Sequence, residues 1–223
     1  MKAALLSALT PALRPAPFQP ATGEWGGVAR HSAAQVGLWT FMVVVCMLFL
    51  LFGIAYMMRI GYGDWRAPPA VPWQLWLSTA LLAGASVAWQ IASWRAVATQ
   101  RWCLLGLLCA LAFVLSQLSA WRVLAAQGYA PAASPGAGFF YMLTGLHGLH
   151  VAGGIVAAVL VMGQPGCGRA GPGDAGPART RVSLCSQYWH LLLILWLALF
   201  TLLFRVTPGL VQDFCAAVGI GGR

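Results

Sequence analysis

GLWTFMVVVCMLFLLFGIAY, residues 37–56, contains no Asp, Glu, Lys or Arg. A helix needs about 20 mainly apolar residues to cross the roughly 30 Å hydrocarbon layer of a membrane, and this run alone meets that requirement. Outward from it, the arginines punctuate further runs of the same kind. No charged residue lies between Arg30 and Arg59, Arg66 and Arg95, Arg101 and Arg122, or Arg181 and Arg205. The interval from Arg122 to Arg169 is also uncharged but too long for one helix. Its first part, QGYAPAASPGAG at 127–138, is rich in Pro and Gly and marks a loop. The remainder makes a span of its own.

The pattern therefore predicts an all-α, polytopic membrane bundle of five helices at 34–58, 72–97, 102–125, 138–162 and 183–206. In lipid the backbone has to satisfy its own hydrogen bonds, so uninterrupted apolar runs of this length are helical. A β-barrel would show repeated alternating segments, and none is present. Residues 1–33 form an expected N-terminal tail and 207–223 a C-terminal one. MKAALLSALTPALRP, at 1–15, is broken by Pro11 and Pro15 and is taken as tail rather than a cleaved signal.

Composition agrees. The 223 residues are 60% hydrophobic and 8% charged, against roughly 25% charged in soluble domains. The net charge of +9 is nearly all arginine, set singly between apolar runs. Nucleic-acid binding needs a clustered basic face, so it is excluded as a reading. The charges report topology instead. Lys2, Arg14, Arg30, Arg95, Arg101, Arg169, Arg179 and Arg181 lie on the N-terminal side, and Arg59, Arg66, Arg122, Arg205 and Arg223 on the other. This asymmetry puts the N-terminus in the cytoplasm. Trp65, Trp73, Trp102 and Trp189 are expected near span ends. The loop GQPGCGRAGPGDAGPART, 163–180, is expected on the inner side. The six cysteines have no CxxC spacing and are read as small buried side chains.

The only acids are Glu24, Asp64, Asp174 and Asp213, all expected in loops or tails. With no carboxylate in a span, proton-coupled transport and paired-carboxylate chemistry lose their usual machinery. No nucleophile–base pair appears either, so no catalytic residue is assigned. Histidine remains. His147 and His150 are three apart, on one face of the fourth helix, and His190 opens the fifth. They could ligate a metal or haem, or, as neutral imidazoles, hydrogen-bond between helices or to lipid headgroups near a surface. The second reading is preferred, and no metal site is assigned. Thr144, Gly145, Gly148, Gly153 and Gly154 accompany them, and small residues let helices approach closely. The fourth helix is therefore expected to be the most buried, with Gly145, Gly148 and Gly153 intolerant of Leu. Ser78, Thr79, Ser86, Gln90, Ser116 and Gln117 are further in-span polar groups able to bridge helices. Arg59, Arg95, Arg181 and Arg205, near span ends, are candidate lipid-phosphate contacts.

GFFYMLTGLHGLHVAGG at 138–154 resembles the signature segment of cytochrome c oxidase subunit III, the third subunit of the haem-copper oxidases. YWHLLLILWLALF at 188–200 resembles the family's last helix. GLWTFMVVVCMLFLLFGIAY and PWQLWLSTALLAGASVAW, at 72–89, resemble the first two helices of its five-helix form, and Gln117 and Trp121 fit the third. The resemblance covers roughly residues 36–206 and comes in the right order. It implies an accessory, non-redox subunit in a bacterial inner membrane, packed against catalytic subunit I with subunit II nearby, stabilising that subunit against damage during turnover and organising lipid in aerobic electron transport. It also implies bound phospholipid, no haem or copper on this chain, and those cofactors in its partners. Three positions depart from the family: Val45, Ala120 and Leu193 stand where membrane carboxylates are usual. A nitric oxide reductase-associated branch, a membrane metalloprotein ligated by His147, His150 and His190, and a small transporter are the alternative readings.

Overall fold

The structure is a computed structural model that describes residues 24–60, 62, 65, 72–95, 99–164, 175–206 and 209. Of the expected tails at 1–33 and 207–223, residues 1–23, 207, 208 and 210–223 lie outside the described residues, as do loop residues 165–174 with Cys167 and Arg169. Among the described residues there is no strand, and five helices are long and apolar enough to cross a membrane. They are α1 (Glu24–Arg59), α2 (Trp73–Trp94), α3 (Thr99–Ala126), α4 (Pro135–Met162) and α5 (Ala175–Arg205).

Two helices start earlier than the uncharged runs. α1 begins at Glu24, so that acid and Arg30 are helical, while its apolar span is Ala33–Arg59; α5 begins at Ala175 rather than 183. Charge blocks entry into hydrocarbon but does not stop a helix in water, where Arg is a good helix former. Residues 24–34 belong to a unit of their own by contact, and the bundle is built from Gln35 onward.

The helix ends are chemically specified. Ser134 caps α4, its Oγ accepting from the Ala137 amide at 3.2 Å, and Pro135 follows in the first turn. α3 ends at Gly128, whose φ of +80° favours glycine. There Tyr129 N–H donates to the Leu124 carbonyl and Gly128 N–H to that of Ala125, each at 3.0 Å, the six-to-one and five-to-two closure of a Schellman motif. Leu124 and Tyr129 also share one apolar cluster, so this turn is locked by packing too.

α2 packs on α3, α3 on α4, α4 on α5, and α5 returns to α2. α2 and α3 meet where Gly106 presents no side chain to Trp89. A Cβ there would lie 2.6 Å from the indole. Gly154 does the same for α4 and α5, where a Cβ would lie 2.9 Å from the Tyr188 ring. α1 reaches this ring of four through long aromatic side chains: Phe41 to Tyr188, Phe49 to His147 and His150, and Tyr56 to Phe139.

α4 is not the most buried helix. In its apolar window 22% of residues are buried, against 44% for α2. α4 is apolar on every side, so it has no stripe that must face inward, and Leu149, Val156 and Leu160 are exposed. Trp189 also departs from expectation. It is fully buried in the middle of α5, not at an interface, because the helix extends further toward the N-terminal side.

Filling the tightest contact should break the bundle. Gly106→Leu is expected to abolish a monodisperse peak on size exclusion in mild detergent. Gly37→Leu, where nothing lies within 4 Å of a Cβ, is expected to elute as wild type. Equal behaviour of the two would contradict the packing described.

Candidate functional site

With little water available inside a membrane, each polar side chain must find a partner in the protein or remain unpaired at a cost. The in-span polar groups of this chain follow that rule in two clusters. The first joins α2 to α5. Gln90 Oε1 accepts from Ser186 Oγ at 2.8 Å and from His190 Nε2 at 2.7 Å. An amide oxygen can only accept, so His190 carries its proton on Nε2, and its Nδ1 accepts from the Ser86 hydroxyl. Both imidazole nitrogens are thereby engaged. About two helix turns further along, Trp196 Nε1 donates to Thr79 Oγ1 at 2.9 Å. The second cluster joins α2 to α3. The one proton of the Ser78 hydroxyl is shared between the Gln74 carbonyl at 2.9 Å and Gln117 Oε1 at 3.1 Å, and Ser116 donates to that same carbonyl at 2.9 Å.

The other histidines stand apart from these networks. His150 Nδ1 donates to the Leu146 carbonyl of its own helix at 2.7 Å. Its own carbonyl accepts from Tyr188 OH across the α4–α5 contact, at 2.9 Å. His147 is fully buried and neither ring nitrogen has a hydrogen-bond partner. It is enclosed by aromatic rings: Trp196 at 5.4 Å, Phe113 at 5.8 Å and Phe49 at 6.3 Å between centroids. It makes no hydrogen bond between helices and packs as a flat ring among these three. Among the described residues, no three His, Cys, Asp or Glu side chains come together as a metal-holding group. The described cysteines, Cys46, Cys103, Cys109 and Cys185, form no disulfide.

Thr144 is buried and donates to the Phe140 carbonyl at 2.7 Å. Gly145 sits against Trp121, where a Cβ would lie 3.4 Å from the ring. A Cβ at Gly148 or Gly153 would meet nothing within 4 Å. The crowding expected at these two glycines does not exist within this chain, because both face out of the bundle. The positions that lack the family's carboxylates are apolar. Val45 and Ala120 are buried, and Leu193 is packed against the core.

Two grooves flank the N-terminal half of α5. One, of about 370 Å³, lies between α1, α4 and α5 and is lined by Leu38, Phe41, Gly153, Ala157 and Leu184, with Arg181 also on its wall. The other, of about 360 Å³, is polar, lined by Gln35, Gln90, Ser93, Arg179 and Ser183 among others. Of the other candidate arginines, Arg59 stacks over Tyr62 at 4.6 Å and Arg95 over Trp102 at 5.8 Å, and Arg205 is exposed in the last turn of α5. Ser186, the partner of Gln90, and the close approach at Gly106 are not marked in the sequence, where one is a hydroxyl among several and the other a glycine within an apolar run, whereas the approach at Gly154 falls in the small-residue stretch expected to pack closely.

Removing Gln90 strands two donors. Gln90→Leu is expected to destabilise the bundle by roughly 1–3 kcal/mol in micellar unfolding. His147→Leu has no hydrogen bond to lose and is expected to leave the unfolding midpoint unchanged or raise it. A large loss at His147 would contradict its place as filler.

No family model matches this chain. The probable cytochrome c oxidase subunit 3 of Mycobacterium tuberculosis is 30% identical over 191 residues, covering 79% of this chain and 90% of that protein. Its counterpart in Nocardia farcinica is 29% identical over 189 residues, covering 79% and 90%. The cytochrome bo(3) ubiquinol oxidase subunit 3 of Pseudomonas aeruginosa is 26% identical over 177 residues, covering 75% and 82%.

Proposed function

We propose, since this chain belongs to the cytochrome c oxidase subunit III family, that it supports the catalysis of a neighbouring subunit and performs no redox step itself. It is a multi-pass membrane protein, an accessory subunit of a haem-copper oxidase in aerobic electron transport. In this reading it packs against catalytic subunit I, with subunit II in the same complex. Haem and copper are held by those partners. The membrane is the bacterial plasma membrane, with the N-terminus on the cytoplasmic side.

The observation that carries the reading is the engagement of His190. With Nε2 donating to Gln90 and Nδ1 accepting from Ser86, the ring has no lone pair left for a metal. His147 is sealed among rings and His150 is tied to its own helix. What the chain offers is shape: a closed ring of four helices and a fifth that stands off on aromatic side chains.

The groove beside that fifth helix supports a second part of the reading. Its apolar wall suits an acyl chain, and Arg181 suits a phosphate. Arg59 and Arg95 stack on aromatic rings and are weaker candidates. Structural phospholipid in this groove would fill the gap that the aromatic spacers leave and hold α1 in place.

Two measurements test these statements. An affinity-tagged chain extracted in mild detergent is expected to bring a haem-containing subunit with it, seen as a Soret band at a stoichiometric ratio. A haem-free preparation from membranes that hold the oxidase would contradict the accessory role. Arg181→Gln is expected to lower the phospholipid phosphorus retained per chain, and unchanged phosphorus would remove the lipid assignment.

A further inference from the structure

Between α3 and α4 a smaller pocket, of about 160 Å³, opens on the outside of the bundle, away from both grooves of α5. Phe113, Gln117, Trp121, Thr144, Gly145 and Gly148 line it. Gln117 is 5% exposed. Its Oε1 is bound by Ser78, but its Nε2 is buried without a hydrogen-bond partner, and so is the Nε1 of Trp121. The indole N–H groups of Trp89 and Trp189 are also unpaired, but both rings are shut inside the core, whereas Gln117 and Trp121 border an opening. Gly148 forms part of that opening, since no atom of this chain lies within 4 Å of where its Cβ would be.

Depth selects the occupant. At 1.5 Å per residue Gln117 is about 13 Å in from the end of α3 at Ala126, and Gly148 about 20 Å in from Pro135, near the middle of α4. The ester and phosphate oxygens of lipids lie at the boundary of the hydrocarbon, and acyl chains offer no acceptor. A buried amide donor left without one in such a medium carries a large penalty. The acceptor must therefore arrive on protein that is itself inside the membrane.

We propose that this pocket receives a transmembrane helix of the partner subunit, close-packed over Gly145 and Gly148, which inserts a side chain bearing a hydrogen-bond acceptor toward Gln117 Nε2. An amide, hydroxyl or carboxylate oxygen would serve. The inference rests on the accessory-subunit reading and assigns the docking face within it: the α3–α4 side, opposite in role to the lipid groove along α1. It gives the two open glycines of α4 different partners, a protein helix at Gly148 and lipid at Gly153.

Gly148→Leu and Gly153→Leu separate these roles in the full-length chain, expressed with its complex and purified in mild detergent. The readouts are the haem-to-chain ratio, the phosphorus-to-chain ratio and the thermal midpoint of the isolated chain. Gly148→Leu is expected to lower the haem ratio about tenfold while leaving the chain's own midpoint unchanged, and Gly153→Leu to retain the haem. Retention of haem by Gly148→Leu, with wild type also retaining it, would overturn the docking face and leave the accessory role standing. Loss of phosphorus with haem retained would assign the pocket to lipid and overturn the proposal. A lowered midpoint would show that the position is packed within this chain, which also overturns it. A wild-type chain that brings no haem would defeat the accessory role, and the docking face with it.

Discussion

The absence of water inside a membrane is the constraint from which the rest of this structure follows. It forces the backbone into helices, confines the arginines to the helix ends, and makes an in-span polar group that lacks a partner in the protein costly. The α2–α5 cluster of Ser86, Gln90, Ser186 and His190 is that constraint satisfied. The side chain of Gln117, with its oxygen bound and its nitrogen unpaired, is the same constraint half satisfied. The first kind of site holds the bundle together, and the second points out of it.

Hydrogen bonds of this kind contribute only about 0.6–1.7 kcal/mol each between membrane helices, so they specify register more than they supply stability. Close packing at Gly106 and Gly154 does the rest, bringing indole and phenol rings onto bare backbone. Three positions that carry carboxylates in the family's usual pattern hold Val45, Ala120 and Leu193 here, all packed among apolar neighbours. An ionised group at the buried Val45 or Ala120 would be unsolvated, so their replacement by apolar residues is consistent with the surrounding core. A function that depended on those charges has no carrier at these positions.

The five helices were legible because a charge in hydrocarbon is costly, and the spacing of arginines records where hydrocarbon ends. The starts of α1 and α5 were not, since Glu24, Arg30, Arg179 and Arg181 are compatible with a helix in water as well as with a loop. The two-histidine spacing at His147 and His150 put both on one side of α4 but could not say that one faces rings and the other its own Leu146 carbonyl. Glycine was the least legible signal. Gly106 and Gly148 look alike in sequence, yet one sits under Trp89 and the other is open, and only the neighbouring helix decides which. Gln90 and His190 could be named as polar residues within spans, but their pairing depends on the return of α5 to α2, a contact between residues 100 positions apart.

The account holds that this chain shelters a partner's chemistry without performing any of it. The most direct measurement is to strip the chain selectively from the purified oxidase and follow oxygen consumption over successive turnovers. The account predicts an unchanged haem spectrum and a near-normal initial rate, followed by faster inactivation. Loss of haem or copper together with the chain, or an initial rate that falls at once to zero, would contradict it.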